Sequence, residues 1–273
     1  MNTALNSTSN DSADDGDLPA PVRRLPVYRL GIASDDHIAV ETPVALVFNG
    51  ISHAVMMATP TKLEAFALGF AVSEGLLASP AECFGIELKV SADGVEAHLR
   101  VAAGAEARLK AARRQLVGRT GCGLCGIDSL RALDLSSPRA IAAAAQPTTA
   151  AILQAFAQLP GRQPLNARTG AHHAAGWATV DGELLDVMED VGRHNALDKL
   201  LGQRLLNKER FDGGFVVMSS RASYELVLKC ARLGVPTLAT ISAPTSLAVE
   251  IARQAGMGLF GFCRGPAAVS YTG

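Results

Sequence analysis

The sequence predicts an α/β protein, α+β overall, with a β-rich N-terminal domain that also carries helices and a layered α/β C-terminal domain. The N-terminal half contains two β-turn signals, Asn49-Gly50 and Asp93-Gly94, each between runs of apolar and β-branched residues. The C-terminal half instead alternates strand-like apolar runs with amphipathic stretches, which is typical of a mainly parallel sheet covered by helices. The pattern changes between residues 139 and 149, which predicts domains at 22–145 and 146–273.

In the N-terminal domain, residues 37–60 are predicted to form a hairpin that turns at Asn49-Gly50. A helix is expected within 59–77, with Thr59 or Thr61 as its cap. It carries too many apolar residues for a narrow stripe, so we expect it to be largely buried. After the second hairpin, the helical stretch 105–118 leads into a cysteine loop.

The C-terminal domain is predicted to alternate three strands with two helices. In chain order they are strand, helix, strand, helix and strand, at 213–220, 223–234, 236–242, 245–256 and 259–265. Cys230 occupies an apolar position of the first of these helices, where a small buried residue is expected.

Charge excludes two classes of partner. The 273 residues include 25 Lys and Arg against 26 Asp and Glu, a net charge of −1. No broad electropositive surface is therefore expected to draw the protein to nucleic acid or to an anionic membrane. Any anion that the protein binds must be held by local donors.

The N-terminal residues 1–21 are rich in Ser, Asn and Asp and contain neither a basic start nor an apolar run. This composition predicts a disordered tail rather than a signal peptide. No stretch approaches the roughly 20 apolar residues of a spanning helix. We therefore expect a cytoplasmic protein whose five cysteines are mostly free thiols.

Cys122 and Cys125 form a CxxC pair in a glycine-rich segment. A structural zinc site needs four ligands, and this pair supplies half of them while the other thiols are isolated. A deaminase zinc site needs H-x-E and P-C-x-x-C. None of the six histidines has a Glu two residues on, and no proline precedes Cys122. No bound metal is therefore expected.

A thioredoxin-like centre is also a poor match, because the cysteines follow a basic helix rather than a buried strand. Glycine imposes little backbone preference, so the loop suits a thiolate that moves between two partners. Arg113, Arg114 and Arg119 lie just upstream and favour the thiolate. From spacing alone, sulfur transfer, thiol redox chemistry and a partial metal site remain open.

Polar residues also surround Gly192. Asp190 and Arg193 flank it, and His194 and Asn195 lie where the next helix is predicted to begin, a place that favours anions. The alternative interpretation is a capping turn, since Asn is a common N-cap.

Two further segments have a functional and a structural interpretation. Ser223 can cap the helix that follows Arg221, with Glu225 supporting its first turn. Arg264-Gly265 follows an apolar strand and can offer a donor fork to a phosphate. The same two residues also fit a turn at an edge strand, and taken alone they favour that interpretation.

Seven segments in this order resemble the FdhD family of sulfur carrier proteins. Each motif alone is weak, but the ordered set is specific and extends over nearly everything after the tail. The segments are FALGFAVSEGLL, RTGCGLCG, TGAHHAA, EDVGRHNALDK, SSRASYELVLKCARLGVP, SAPTSLAVEIARQAG and GFCRG.

The resemblance implies a function. Sulfur from a cysteine desulfurase is carried as a cysteine persulfide to the bis-molybdopterin guanine dinucleotide molybdenum cofactor, before this cofactor enters formate dehydrogenase. It also implies a second domain with the cytidine deaminase fold but without the deaminase zinc signature, and it allows a homodimer. A cofactor-binding chaperone without sulfur chemistry and a zinc-stabilised adaptor are the alternatives.

Carried over residue by residue, the persulfide falls on Cys122, with Cys125 as the neighbouring thiol. The family's cofactor-binding segment, which contacts the guanine nucleotide moiety, matches Phe262, Cys263, Arg264, Gly265 and Pro266.

The family histidine of the TGxxH motif matches His173 rather than His172. The sequence departs from the family at Ser219-Ser220-Arg221, where Gly commonly precedes Arg, and at Ala171, where a second Gly is common.

Overall fold

The computed structural model describes residues 18–114, 140–141, 144–265 and 267–272. Most of the predicted tail and the whole CxxC loop lie outside these residues. Within them, no helix is long and apolar enough to cross a membrane. The division into domains at 22–145 and 146–273 stays a prediction.

The N-terminal part contains a two-stranded ribbon and a four-stranded sheet. Strands β1 (Val22–Arg29) and β2 (Ile32–Ala39) pair antiparallel in the ribbon. The sheet has the order β4-β3-β6-β5. Its strands are β3 (Thr42–Phe48), β4 (Ile51–Ala58), β5 (Cys83–Ser91) and β6 (Gly94–Val101), with a short 3₁₀ turn at Pro80–Glu82.

Both predicted hairpins are confirmed, although the second turns at Ala92-Asp93 rather than Asp93-Gly94, because Gly94 pairs with Ser91. At the first, Asn49 and Gly50 have positive φ values of 46° and 80°, the conformation that this dipeptide favours between two strands. Residues 37–60 are not one hairpin, however, because residues 37–39 belong to β2. The ribbon turns at Leu30-Gly31, where both φ values are positive. This turn was not among those predicted.

The described residues of the N-terminal part form the helices α1 (Leu63–Ser73) and α2 (Ala103–Arg114). Helix α1 is largely buried, as predicted. Its predicted caps are wrong, because the N-cap is Lys62, in a left-handed conformation, and it makes no side-chain capping bond. Thr59 and Thr61 instead contact residues far along the chain, as described below.

The C-terminal part is built on a six-stranded sheet of order β12-β11-β10-β9-β7-β8. Strands β9, β10 and β11 are parallel, but the other three of the five pairings are antiparallel, so the prediction of a mainly parallel sheet is wrong. Short turns join β7 to β8 and β11 to β12, and such turns connect only antiparallel strands. The strands are β7 (His173–Thr179), β8 (Leu184–Asp190), β9 (Gly214–Met218), β10 (Thr237–Thr240), β11 (Gly258–Arg264) and β12 (Ala267–Ser270).

Helices cover both faces of this sheet, which confirms the layered α/β prediction. On one face α5, α6 and α7 pack around Val216, Leu238 and Leu259. On the other face α3 packs around Phe215 and Val217. The helices are α3 (Thr149–Gln158), α4 (Pro164–Thr169), α5 (Arg193–Leu206), α6 (Tyr224–Arg232) and α7 (Ser246–Ala255).

Helices α1 and α5 cross with their backbones in contact. A Cβ atom on Gly69 would overlap the carbonyl oxygen of Asp198, and one on Gly202 would overlap that of Ala65. Only glycine allows so close an approach. The N-terminal and C-terminal parts are therefore joined through the middle of these two helices.

Candidate functional site

The polar motifs of the C-terminal part meet at one edge of its sheet. Strands β8, β9, β10 and β11 all end at this edge, and β7, antiparallel to β8 and β9, begins there at His173. The motifs selected from the sequence lie at the ends of these strands or directly after them, including Arg264 at the end of β11, Arg221 after β9 and Arg193 at the start of α5. We call this the carboxyl edge. It is where ligands bind in open α/β sheets.

Helix α5 begins at Arg193, where the sequence predicted a helix start, and it lies at the carboxyl edge. Its first backbone N–H groups have no hydrogen-bond partner among the described residues. Its N-cap is Gly192, which has no side chain, and its first turn contains no acidic residue. The first helical hydrogen bond runs from Ala196 N to Gly192 O, at 2.9 Å. The N–H groups of Arg193, His194 and Asn195 therefore have no carbonyl partner within the helix.

Asn195 is not the cap that one interpretation of the sequence proposed. Its side-chain amide donates to the carbonyl oxygen of Met57, at 2.8 Å, and to Asp190 Oδ1, at 3.1 Å. Asn195 therefore ties the start of α5 to strand β4 of the N-terminal part.

Asp190 is fully buried and accepts hydrogen bonds on both carboxylate oxygens. Its Oδ1 accepts from Gly192 N at 2.8 Å, and its Oδ2 accepts from Thr59 N at 3.0 Å. Lys199 Nζ lies 2.7 Å from the same Oδ2. Burial lowers the pKa of Lys199, while Asp190 opposes that effect. This buried ionic contact joins α5 to Asp190, the last residue of β8. The bond from Thr59 N adds the segment before α1 to the same cluster.

Thr59 and Lys199 were missed as site-supporting residues by the sequence analysis. Lys199 Nζ also donates to Thr59 O, at 2.8 Å, and Thr59 Oγ1 accepts from Val191 N, at 3.1 Å. Thr61 Oγ1 accepts a longer bond from Lys199, at 3.3 Å. The contacts made by these threonines explain why neither of them caps α1.

The two adjacent histidines differ in environment. His173 is half-buried, with Nδ1 3.5 Å from Ser219 Oγ, and burial together with the charges of Arg193 and His194 lowers its pKa. His172 is only 6% exposed, and its Nδ1 lies 2.8 Å from Thr169 Oγ1. Burial lowers its pKa as well, and its buried Nε2 has no hydrogen-bond partner among the described residues.

His194 pairs with Glu225 across the starts of α5 and α6. Its Nε2 lies 3.7 Å from Glu225 Oε2. The interaction with His194 lowers the pKa of Glu225 to about 2, against the opposing effect of burial. Glu225 lies in the first turn of α6, as predicted. Ser223 is the N-cap residue, as predicted, but its side chain makes no capping bond.

The predicted cofactor-binding segment lies at the other end of the carboxyl edge. Phe262 and Arg264 are exposed, whereas Cys263 is fully buried, and burial raises its pKa to about 11. Gly265 has a φ of 62° and lies in the turn between β11 and β12. The turn interpretation of Arg264-Gly265 is therefore confirmed, while the binding of a phosphate there stays a prediction. Pro266 lies outside the described residues.

Arg264 and Arg193 are well separated along this edge. Strand β11 is four places from β8 in the sheet order, which corresponds to roughly 19 Å at the usual strand spacing. A ligand that contacts both Arg264 and Arg193 would therefore have to extend along this edge of the sheet.

Cys122 and Cys125 lie outside the described residues. The three cysteines that are described are Cys83, which is half-buried, and the buried Cys230 and Cys263, and burial raises the pKa of each thiol. The prediction of a buried Cys230 is confirmed. Thiols with a raised pKa are poor nucleophiles near neutral pH. In the part of the chain that is described, no three His, Cys, Asp or Glu side chains are placed to hold a metal ion.

Three comparisons show which known proteins this chain resembles. A model of the FdhD/NarQ family matches residues 39–273. A protein named sulfur carrier protein FdhD from Chromobacterium violaceum is 58% identical over 240 residues, which cover 87% of this chain and 88% of that protein. The protein of the same name from Burkholderia cenocepacia is 50% identical over 277 residues, with coverage of 98% and 99%.

A solved structure is also similar. The crystal structure of a protein described as a formate dehydrogenase accessory protein, from Desulfotalea psychrophila, has a TM-score of 0.69 and is 26% identical. The match covers 92% of this chain and 96% of that one.

The fold and the carboxyl edge define a mixed α/β protein in which a six-stranded sheet brings basic and histidine side chains to one rim. With the matches above, the particular assignment follows: the chain belongs to the FdhD/NarQ family.

Proposed function

We propose that this protein is a sulfur carrier with sulfurtransferase activity that is required for formate dehydrogenase activity. The observation that carries the proposal is the close match, over nearly the whole chain, to relatives that are named sulfur carrier proteins. The raised pKa values of Cys83, Cys230 and Cys263 support it further, because they make these three thiols poor candidates for the reactive one.

In the proposed loading step, the Cys122 thiolate attacks the outer sulfur of a persulfide on a cysteine desulfurase. A new S–S bond forms on Cys122, the S–S bond of the donor breaks, and the donor cysteine leaves as a thiolate. The transferred sulfur keeps its proton. Cys125 can attack the inner sulfur of the loaded persulfide, which forms a disulfide with Cys122 and releases the outer sulfur as sulfide. The acceptor must therefore arrive before that reaction.

The proposed acceptor is the bis-molybdopterin guanine dinucleotide molybdenum cofactor, before its insertion into formate dehydrogenase. We assign its guanine nucleotide moiety to the segment Phe262–Pro266. In this segment Arg264 is exposed and can offer a planar donor fork to a phosphate. Cys263 points into the core, so it supports the segment rather than contacting the ligand.

Two other parts of the proposal rest on the family resemblance, namely a cytidine deaminase-like fold for residues 146–273 and a homodimer. The cytoplasmic location and the absence of a permanent metal, of nucleic acid and of membrane among the partners are proposed from composition, net charge and the number of candidate ligands. A separate observation agrees with the fold: β8, β9, β10 and β11 end at one edge and are each followed by a helix or a turn that carries a polar motif.

Mass spectrometry after incubation with a cysteine desulfurase and cysteine tests the function. We expect a gain of one sulfur, about 32 Da, that a reductant reverses, as thiol exchange requires. Cys122→Ala should abolish the gain, and Cys230→Ala is the matched control that should retain it. Equal loading of Cys122→Ala and the wild-type protein would exclude the assignment. Unchanged formate dehydrogenase maturation by that variant would favour a cofactor chaperone without sulfur chemistry.

A further inference from the structure

A groove of about 700 Å³ borders strand β5 of the N-terminal part. Four consecutive residues of this strand, Cys83–Ile86, line it. Because successive side chains of a strand point to opposite faces of the sheet, a groove on one face would meet only every second residue. The groove therefore runs along an edge of β5. It is the free edge, since β5 is last in the order of the described strands and pairs with β6 on its other side.

A β-bulge turns Phe84 outward at this edge. Cys83 pairs with Val101 and Gly85 pairs with the adjacent Arg100, so Phe84 is an extra residue without a partner in β6. Bulges can redirect a side chain in this way. The ring is 63% exposed, and Arg100 Nη2 donates to Phe84 O at 3.3 Å. The bulge thus presents a large aromatic side chain beside the groove, the kind of residue that anchors protein interfaces.

Helices α1 and α5 form the other side of the groove, and most of that side is apolar. Helix α1 contributes Ala65 and Leu68, and the end of α5 contributes Leu205 and Leu206. Leu206 is 44% exposed. An occupant of the groove would therefore cover apolar surface on both sides of itself, which is favourable in water.

Two lysines line the groove at positions that favour other residues. Lys62 is the N-cap of α1, where Ser, Thr, Asp or Asn is preferred, and Lys208 follows the C-cap of α5, where Gly is preferred. Both have left-handed backbones, with φ values of 52° and 58°. Neither side chain has an ion pair or a hydrogen bond with another described residue. Glu64 is the acidic residue among the described lining residues, so their net charge is positive.

The free strand edge, the apolar lining and the unpaired lysines describe the occupant. We propose that an extended segment of the sulfur-donating cysteine desulfurase pairs with the free edge of β5 at Cys83–Ile86. Its apolar side chains pack on Phe84 and in the groove, and an acidic side chain pairs with Lys62 or Lys208. In such strand addition, main-chain hydrogen bonds supply affinity and the neighbouring pocket selects side chains. The inference rests on the proposed function for the identity of the donor.

The groove and the carboxyl edge lie at opposite ends of α5. Leu205 and Lys208 border the groove, whereas Arg193 lies at the carboxyl edge. The 14 residues of α5 give it a length of about 21 Å. A donor in the groove therefore leaves the carboxyl edge free for the proposed cofactor, as a carrier that serves a donor and an acceptor requires.

The groove also borders the part of the chain that leads to Cys122. Glu82, which lies between two lining residues, forms an ion pair with Arg108 of α2. Helix α2 ends at Arg114, eight positions before Cys122. A donor in the groove is thus bound beside the helix that precedes the residue to be loaded.

The rate of persulfide loading, measured at increasing desulfurase concentration with excess cysteine, tests the docking surface. In Phe84→Asp the concentration that gives half of the maximal rate should rise about ten- to thirtyfold. The maximal rate should stay unchanged, because docking is weakened and the chemical step is not. Val90→Asp is the matched control, since Val90 is also exposed on β5 but lies outside the groove.

Charge reversal gives a second pair of variants. The double variant Lys62→Glu, Lys208→Glu should raise the same desulfurase concentration as Phe84→Asp does. Lys89→Glu, on the same strand outside the groove, should behave as the wild-type protein. Equal desulfurase dependence of the groove variants and their controls would overturn the inference and leave the proposed function intact.

Loading from glutathione persulfide separates docking from the chemistry of Cys122. This small donor needs no groove, so Phe84→Asp and the wild-type protein should take up its sulfur at equal rates. A slower reaction of Phe84→Asp with glutathione persulfide would locate the defect in folding or in the cysteine loop and would overturn the docking role. A wild-type protein that neither donor loads would refute the proposed function together with this inference.

Hydrogen exchange tests the strand addition itself. Without cysteine, adding the desulfurase should slow the exchange of backbone N–H groups within Cys83–Ile86 and leave those of β4, at the other edge of the sheet, unchanged. Unchanged exchange in Cys83–Ile86 would refute strand addition. Sedimentation of the protein alone is the last control, because self-association that Phe84→Asp abolishes would assign the groove to a second copy of this chain and overturn the proposal.

Discussion

Lys229 Nζ lies 2.9 Å from both carboxylate oxygens of Asp198, and both side chains are almost wholly buried between α5 and α6. Glu74, at the end of α1, is the second partner of this lysine, at 2.6 Å. Burial acts against the charged form of Lys229, but the two carboxylates prevail and raise its pKa. The cluster joins the N-terminal part to two helices of the C-terminal part.

Lys229→Met should therefore destabilise the protein strongly. The change leaves two carboxylates facing each other with no cation between them, and removing one partner of a buried pair costs about 3–5 kcal/mol. Urea unfolding measures the effect. Arg210→Met is the matched control, because Arg210 pairs with Asp212 at 2.5 Å on the exposed surface, where such pairs contribute little to stability. Similar losses in the two variants would contradict the role of the buried cluster.

Gly69→Ala and Gly202→Ala should each destabilise the protein, although alanine normally stabilises a helix relative to glycine by about 1 kcal/mol. These substitutions destabilise instead of stabilising because the backbones of α1 and α5 are in contact there, which leaves no space for a methyl group. Gly104→Ala in α2 is the control, since its new methyl group would come no closer than 3.9 Å to Arg108. Thermal unfolding should give a lower midpoint for the first two variants and an equal or higher one for the third.

The contribution of Glu225 to stability should depend on pH. Its pKa is lowered from 4.5 to about 2 in the folded protein. A carboxyl group with a lowered folded pKa contributes stability that is present above its unfolded pKa and is lost as the pH falls through the folded value. The difference in unfolding free energy between wild type and Glu225→Gln should thus shrink as the pH falls from about 4.5 toward 2.

Urea titrations at several pH values measure that difference. His194→Gln should remove most of the same pH dependence, because the interaction with His194 is the largest cause of the lowered pKa. A difference that stays constant over this range would show that the two side chains do not interact in solution.

Arg264→Ala should weaken the binding of GDP, a mimic of half of the proposed cofactor. Losing one charge-assisted phosphate contact costs about 1.5–3 kcal/mol, or one to two powers of ten in affinity. Calorimetry measures this, with Arg253→Ala on α7 as the control. Sulfur loading at Cys122 should persist in the Arg264 variant. Unchanged GDP affinity would move the pocket away from β11, and joint loss of binding and loading would indicate misfolding.

Local signals in the sequence were sufficient for much of the fold. Asn49-Gly50 and Asp93-Gly94 each mark a hairpin, and the alternation in the C-terminal half reproduces β9, α6, β10, α7 and β11. The turn at Leu30-Gly31 was missed because a leucine with positive φ is rare and carries no turn signal. The antiparallel strand β7 was missed because its pairing with β9 depends on residues some 40 positions apart.

The sequence identified motifs of the candidate site but not their arrangement. His173, His194 and Arg264 lie in separate segments, and only the strand order shows that the first two are neighbours while the third is distant. The residues that support the site, Lys199 and Thr59, could not be predicted either, because their contact also depends on how distant segments pack together. Lys199 bonds to Thr59, which is 140 positions away, and neither residue differs locally from an ordinary helix or cap residue.

The glycine contact between α1 and α5 also bears on how this chain can be divided. A fragment that starts near residue 146 would lack α1, so the surface of α5 around Gly202, which α1 covers, would be exposed to water. It would also leave Asp190 and Lys199 without Thr59, and Lys229 without Glu74. Expression of residues 146–273 alone should accordingly yield an insoluble or partly folded product, so binding experiments on the carboxyl edge require the whole chain.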